Sequence, residues 1–208
     1  MFSINKIQLS EVDVYTMSYP DFDVAAHLYI LSTTELQKLS IFKSEKRKRE
    51  FVATRLLNRE VFGDNAVITY LNNGAPEIQN IGHISISHAN NKVAIAHATS
   101  FEIGLDLELI QHKILCIRNK FLNPMELSEI DSNDVTKTTI AWSCKEALYK
   151  LNKDKGISLK DHIQVKEISQ NLWAGKILVN GTVKRTEISI FEKDNVIYTI
   201  NNQALVNL

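Results

Sequence analysis

Proline and glycine are scarce, three and seven in 208 residues, and no low-complexity tract or evident linker divides the chain. Cysteine is nearly absent. Cys116 and Cys144 have neither metal-ligand nor redox spacing, and Cys144 falls among apolar helical positions, where a free thiol behaves as a small hydrophobe. There is no excess of either charge, since 24 Lys and Arg face 24 Asp and Glu. That balance removes any general attraction to nucleic acid or acidic membrane surfaces. No window approaches the roughly 18–20 apolar residues that span a bilayer. The first dozen residues, MFSINKIQLSEV, hold no continuous hydrophobic stretch of the signal-peptide kind. A reduced, soluble, cytoplasmic protein is expected, without a membrane or nucleic-acid partner.

What is present is enough apolar sequence, 44% of residues, for one large core or two smaller ones. Alternation over residues 4–14 predicts an opening strand, and residues 27–31 predict another. A helical pattern covers about residues 34–62, with Thr34 and Ser44 as N-caps and Gly63 as the stop. Residues 66–109 switch to period two around the turn NNGAPE. A second helical stretch covers about residues 124–151, and four further strand-like runs follow, two of them joined by an Asn180–Gly181 hairpin turn. The order strands, helices, strands thus occurs twice, dividing near residues 100–110. It predicts an α+β fold with antiparallel-rich sheets.

Three segments carry chemistry. In FEIGLDLELI, alternation puts Phe101, Ile103, Leu105, Leu107 and Leu109 on one face and Glu102, Gly104, Asp106 and Glu108 on the other. Two carboxylates about 5 Å apart repel by roughly 3 kcal/mol at an effective dielectric of 20. A hard divalent cation such as magnesium relieves that repulsion. Gly104 permits a close approach by another backbone or a ligand. Read alone, the segment is also an amphipathic strand with a solvated acidic face.

In AWSCKEALYKL, Ala141, Cys144, Ala147, Leu148 and Leu151 form an apolar helical stripe, with Trp142, Glu146 and Lys150 on roughly the opposite side. An exposed Glu–Lys pair four apart contributes only about 0.3–0.5 kcal/mol. The Trp on that stripe predicts that something covers it, the other half of the protein being one candidate. Lys145 and Lys150 are placed to meet phosphate, and Glu146 to act as base or metal ligand. The third segment is the basic helix FKSEKRKREFVATRLLNRE, in which most charges belong to a solvated face. An arginine there can clamp a phosphorylated ligand. His88, after the strand-like HISIS, can hydrogen-bond a phosphate together with Ser87.

The pieces EKRKREFVATRLL, NNGAPEI, ISISHA, IGLDLE and WSCKEALYK, spanning residues 45–150, resemble the 4′-phosphopantetheinyl transferase family, specifically its two-half Sfp type. The resemblance implies two similar α/β halves in pseudo-twofold arrangement, residues 1–102 and 103–208, in one monomeric chain with coenzyme A in the cleft between them. It implies Asp106, Glu108 and Glu146 as magnesium ligands. Arg47, Arg55, Ser87 and His88 would hold the nucleotide and its 3′-phosphate, with Lys145 and Lys150 on the phosphate chain. Glu146 would activate the serine of an apo acyl or peptidyl carrier protein, and Lys150 would neutralise the departing adenosine 3′,5′-bisphosphate. Ala75 departs from the pattern, because relatives commonly carry a basic residue there, and Lys92 is a neighbour able to compensate. The competing readings are a metal-dependent nuclease and a non-catalytic nucleotide- or carrier-binding module.

Overall fold

The computed structural model describes residues 2–152, 156–179 and 181–208. The opening alternation is a hairpin, not one strand: β1 (Ser3–Leu9) pairs antiparallel with β2 (Val12–Ser18), Leu9 opposite Val12. Residues 27–31 are not a strand either. They fall largely within a 3₁₀ helix, Val24–Ile30, started by Asp23, whose carboxylate accepts from the Ala25 amide at 3.0 Å. Five residues of apolar alternation cannot separate the two periods, and the local cap decides.

Helix α1 (Thr33–Ile41) starts at Ser32, not at Thr34. The Ser32 hydroxyl accepts from the Glu35 amide while the Glu35 carboxylate accepts from the Ser32 amide, a capping box that outcompetes the residue two positions on. Helix α2 (Glu45–Phe62) starts at Ser44 and stops at Gly63, whose φ of 88° suits glycine alone, as the sequence predicts. The period-two stretch becomes β3 (Ile68–Tyr70), β4 (Pro76–Ile78), β5 (Gly82–Ala89), β6 (Lys92–Ala98) and β7 (Leu105–Leu109). A 3₁₀ turn leads into α3 (Arg118–Phe121), α4 (Pro124–Glu129) and α5 (Val135–Leu151). The chain closes with β8 (Ile163–Ser169), β9 (Leu172–Val179), β10 (Thr182–Lys193), β11 (Val196–Asn201) and the short β12 (Val206–Asn207). Asn180 of the expected turn lies outside the described residues; Val179 pairs with Thr182 on either side of it.

The strands form two antiparallel sheets, ordered β1-β2-β6-β5-β4-β3 and β7-β11-β10-β9-β8 with β12 on β10, so the fold is α+β with antiparallel sheets. Layering follows from side-chain alternation. On β6, Val93 and Ile95 join Ala53 and Leu57 of α2, while Ala94, Ala96 and Ala98 face Leu105, Leu107, Tyr198 and Ile200 of the second sheet. Behind that sheet, α5 buries Ala141, Cys144 and Leu148 against Ile163, Ile177 and Ile188. The order is therefore α2, first sheet, second sheet, α5. Among the described residues no helix is long and apolar enough to cross a membrane.

The strand expected to begin at Phe101 begins at Leu105. The Gly104 amide donates to the Asn201 side chain at 2.7 Å instead of joining a ladder. What approaches Gly104 is the backbone of α5: a Cβ there would lie 2.1 Å from the Ala147 carbonyl oxygen. At Gly175 a Cβ would meet only the Leu148 and Ile188 side-chain ends, at 2.7 Å or more. Overpacking costs typically 1–3 kcal/mol when neighbours can move, and more when they cannot. Gly104→Ala is therefore expected to lose at least about 3 kcal/mol in urea unfolding, and Gly175→Ala clearly less. Equal losses would remove the helix–strand contact as the reason for glycine at 104.

Candidate functional site

Because Leu105 and Leu107 turn toward the first sheet, Asp106 and Glu108 turn toward α5. That places them against the stripe of Trp142, Glu146 and Lys150. Trp142 is covered by its own half: its ring meets Phe121 edge-on at 4.9 Å, and its indole N–H donates to Glu108 Oε1 at 2.7 Å. The expectation that the other half covers it is corrected. Of these three side chains, Lys150 also reaches the first sheet. Its ammonium donates to Asp106 Oδ1 at 2.8 Å, to the Leu105 carbonyl at 2.9 Å and to Ser87 Oγ at 3.1 Å, which uses all three protons.

Asp106 is 4% exposed. Oδ1 accepts from Ser87 and Lys150, and Oδ2 accepts from Ser143 at 2.9 Å, which in turn contacts Thr199 at 2.9 Å. Sequence reasoning missed Ser143 and Thr199. Their signal was a hydroxyl on an otherwise apolar buried face. Burial, then repulsion from Asp106 and, more weakly, Glu146, push the Glu108 carboxyl up to about 7 against the opposing Trp142 hydrogen bond. Burial and Asp106 also raise Glu146.

Three carboxylates, two of them made harder to ionise by the charge of Asp106, are the donor chemistry a hard divalent cation stabilises. They are not, however, a ready cage. Among the described residues no group of three or more His, Cys, Asp or Glu is arranged to hold a metal ion. Both oxygens of Asp106 are engaged by Lys150, Ser87 and Ser143, and Glu108 is drawn to Trp142.

Next to this cluster lies a cavity of about 1500 Å³ walled by α2, the β3–β4 hairpin, β5 and the C-terminal end of α5. Arg47, Arg55, Ser87, His88 and Lys150 line it, whereas Asp106, Glu108 and Glu146 do not. Arg55 is buried over the Phe51 ring at 3.8 Å, with Glu35 at 2.9 Å and the Tyr70 hydroxyl at 3.3 Å. Arg47 is exposed and pairs with Glu50 at 3.1 Å. His88 Nε2 meets Thr54 Oγ1 at 2.7 Å. Burial, then the positive charges of Arg47, Lys150 and Arg55, push the imidazole down to about 3, so it is neutral near pH 7. Thr54 and Tyr70 as cavity residues, and Glu35 as the partner of Arg55, were not legible, because each reaches its partner through the tertiary fold.

Three expectations change. The Ser87 hydroxyl donates to Asp106 and accepts from Lys150 and the Leu107 amide, so it fastens the two sheets and has no capacity left for a phosphate. Lys145 is fully buried away from the cavity. It pairs with Glu126 at 2.8 Å and donates to the carbonyls of Leu159 and Ile163. Lys92 does not stand in for a basic residue at Ala75. It is buried on β6 against Asp194, while Ala75 lines the cavity on the hairpin.

The model of the 4′-phosphopantetheinyl transferase superfamily matches residues 102–203, from the segment before β7 to just past β11. Through that half, the chain belongs to the superfamily. Asp106, Glu108, Glu146 and Lys150 lie inside the match, and Arg47, Arg55, Ser87 and His88 precede it. Transfer of phosphopantetheine, with coenzyme A as donor, is the chemistry of this superfamily. No curated protein matches the chain.

The raised Glu108 carboxyl has a measurable consequence. Between its ordinary value and about 7, the unfolded chain ionises at Glu108 while the folded protein resists, so stability falls as pH rises through that window. Glu108→Gln keeps an acceptor for Trp142 and removes the charge. Its Tm is expected to match the parent near pH 4.5 and to exceed it at pH 8; parallel Tm curves across this range would refute the assignment.

Proposed function

We propose that this chain transfers the 4′-phosphopantetheine moiety of coenzyme A to a serine of an apo acyl or peptidyl carrier protein, releasing adenosine 3′,5′-bisphosphate. The observation that carries the reading is the position of Lys150, on Asp106 at 2.8 Å and at the same time in the cavity wall. One side chain thereby joins the acidic cluster of the matched half to the arginine-bearing wall of the unmatched half. A cavity lined by residues from within 47–88 together with Ile103, Tyr149, Lys150 and Leu151 of the same chain fits the two-half Sfp type, with halves 1–102 and 103–208, acting as a monomer. The cytoplasm is the compartment that accompanies this reading.

Asp106, Glu108 and Glu146 are the residues that would hold magnesium. Bound there, the ion supplies charge that polarises phosphoryl oxygens. Glu146, whose proton affinity is raised by burial and Asp106, takes the proton of the carrier serine as the serine oxygen bonds to the phosphorus bearing the pantetheine arm. The bond from that phosphorus to the nucleotide phosphate oxygen breaks, and Lys150 neutralises the departing adenosine 3′,5′-bisphosphate. Arg47, Arg55 and His88 seat the nucleotide, while Ser87 fixes Lys150 and Asp106.

Incubation with apo-carrier, coenzyme A and magnesium is expected to add about 340 Da to the carrier by mass spectrometry, the mass of the transferred arm. Glu146→Gln and Asp106→Asn should abolish that gain while circular dichroism stays native. Parent-like transfer by either variant removes the residue from its role. His88→Ala should raise KM for coenzyme A with kcat little changed.

A further inference from the structure

We propose that the enzyme uses 3′-dephospho-coenzyme A nearly as readily as coenzyme A, an inference that rests on the transfer reaction proposed above. The argument is the charge of the cavity. Among its described lining residues, Arg47, Arg55 and Lys150 are matched in number by Glu50, Glu77 and Glu102. Each of those cations, moreover, already has a carboxylate in contact: Glu50 on Arg47 at 3.1 Å, Glu35 on Arg55 at 2.9 Å, Asp106 on Lys150 at 2.8 Å. The hairpin wall contributes Asn72, Asn73 and Ala75, which carry no charge.

A phosphomonoester bears about 1.5 to 2 negative charges near neutrality. Moving it from water into a cavity favours binding only where a cation gains more from it than the phosphate loses in hydration. Arg55 is the cation best shielded from solvent, and its charge is answered by Glu35 before any ligand arrives. A phosphate drawn to its guanidinium meets the Glu35 carboxylate as well. The 3′-phosphate therefore adds little to binding over the 3′-hydroxyl. An uncompensated arginine fork would give a preference of roughly ten- to a hundredfold.

The test compares kcat/KM for the two donors with one apo-carrier and magnesium, and the dissociation constants of adenosine 3′,5′-bisphosphate and adenosine 5′-monophosphate by calorimetry. Ratios below about tenfold in both measurements are expected. In Glu35→Gln the capping box survives, because glutamine serves at that position, and Arg55 loses its counter-charge. The preference for coenzyme A should then rise about tenfold. A parent preference above tenfold, or an unchanged ratio in Glu35→Gln, overturns the inference and leaves the transfer reaction standing. Absence of transfer from either donor removes that reaction and the inference with it.

Discussion

The site depends on how an unpaired strand edge is closed. Strand β7 lies at the end of its sheet, and the amides of Leu105 and Leu107 face away from its ladder partner β11. Buried there without partners, each would cost of the order of 1–3 kcal/mol. Ser85 and Ser87 of β5 accept from them at 2.9 and 3.1 Å. Two hydroxyls thus do what a neighbouring strand would do, but a side chain is a more adjustable partner than a backbone. The Ser87 hydroxyl still has a proton to donate to Asp106 and room to accept from Lys150. The seam between the sheets and the seat of the acidic cluster are the same few atoms.

That coincidence explains why charges are tolerated in so deep a place. Asp106, nearly sealed from solvent, is stable there because Lys150 neutralises it and Ser87 and Ser143 occupy its oxygens. Glu108 and Glu146 lack such full compensation, and their carboxyls rise accordingly. Within one layer between β7 and α5, one carboxylate has both oxygens occupied by hydrogen-bond donors, and two are made harder to ionise by burial and by Asp106. Added positive charge beside those two groups would favour their ionised forms.

Much of the fold was legible because period-two alternation and the long helical stripes of α2 and α5 are strong signals. Ser44 and Gly63 could be named from the chemistry of helix ends. The misreadings share a physical origin. The run at residues 27–31 was too short for its period to be decided, and Thr34 lost to Ser32 because a reciprocal pair of bonds outweighs a single one. Lys145 was the avoidable error. It lies four residues after Ala141 and three before Leu148, on the buried face, so helical spacing already directed it away from the cavity. What spacing could not supply was Glu126, the partner on another helix that makes burial of an ammonium tolerable. Arg55 shows the same limit from the other side. Its place in the cavity follows from α2, but its neutralisation by Glu35 is a property of the packed tertiary structure.

Residues inside and outside the family match differ in how their contacts are spread along the chain. The acidic cluster and Lys150 are carried by β7 and α5 in short, readable strings, and the family match covers both elements. The contacts of the cavity wall are instead made by residues scattered across α1, α2 and β3: Glu35 and Tyr70 on Arg55, and Thr54 on His88. Lys150 is where the two meet. It must reach the acidic cluster, the Ser87 hydroxyl of the opposite sheet and the cavity together, which fixes the spacing of the layers around it. The alanines facing across the sheets, Ala94, Ala96 and Ala98, are small for that reason: larger side chains would part the sheets and draw Ser87 out of reach of Lys150.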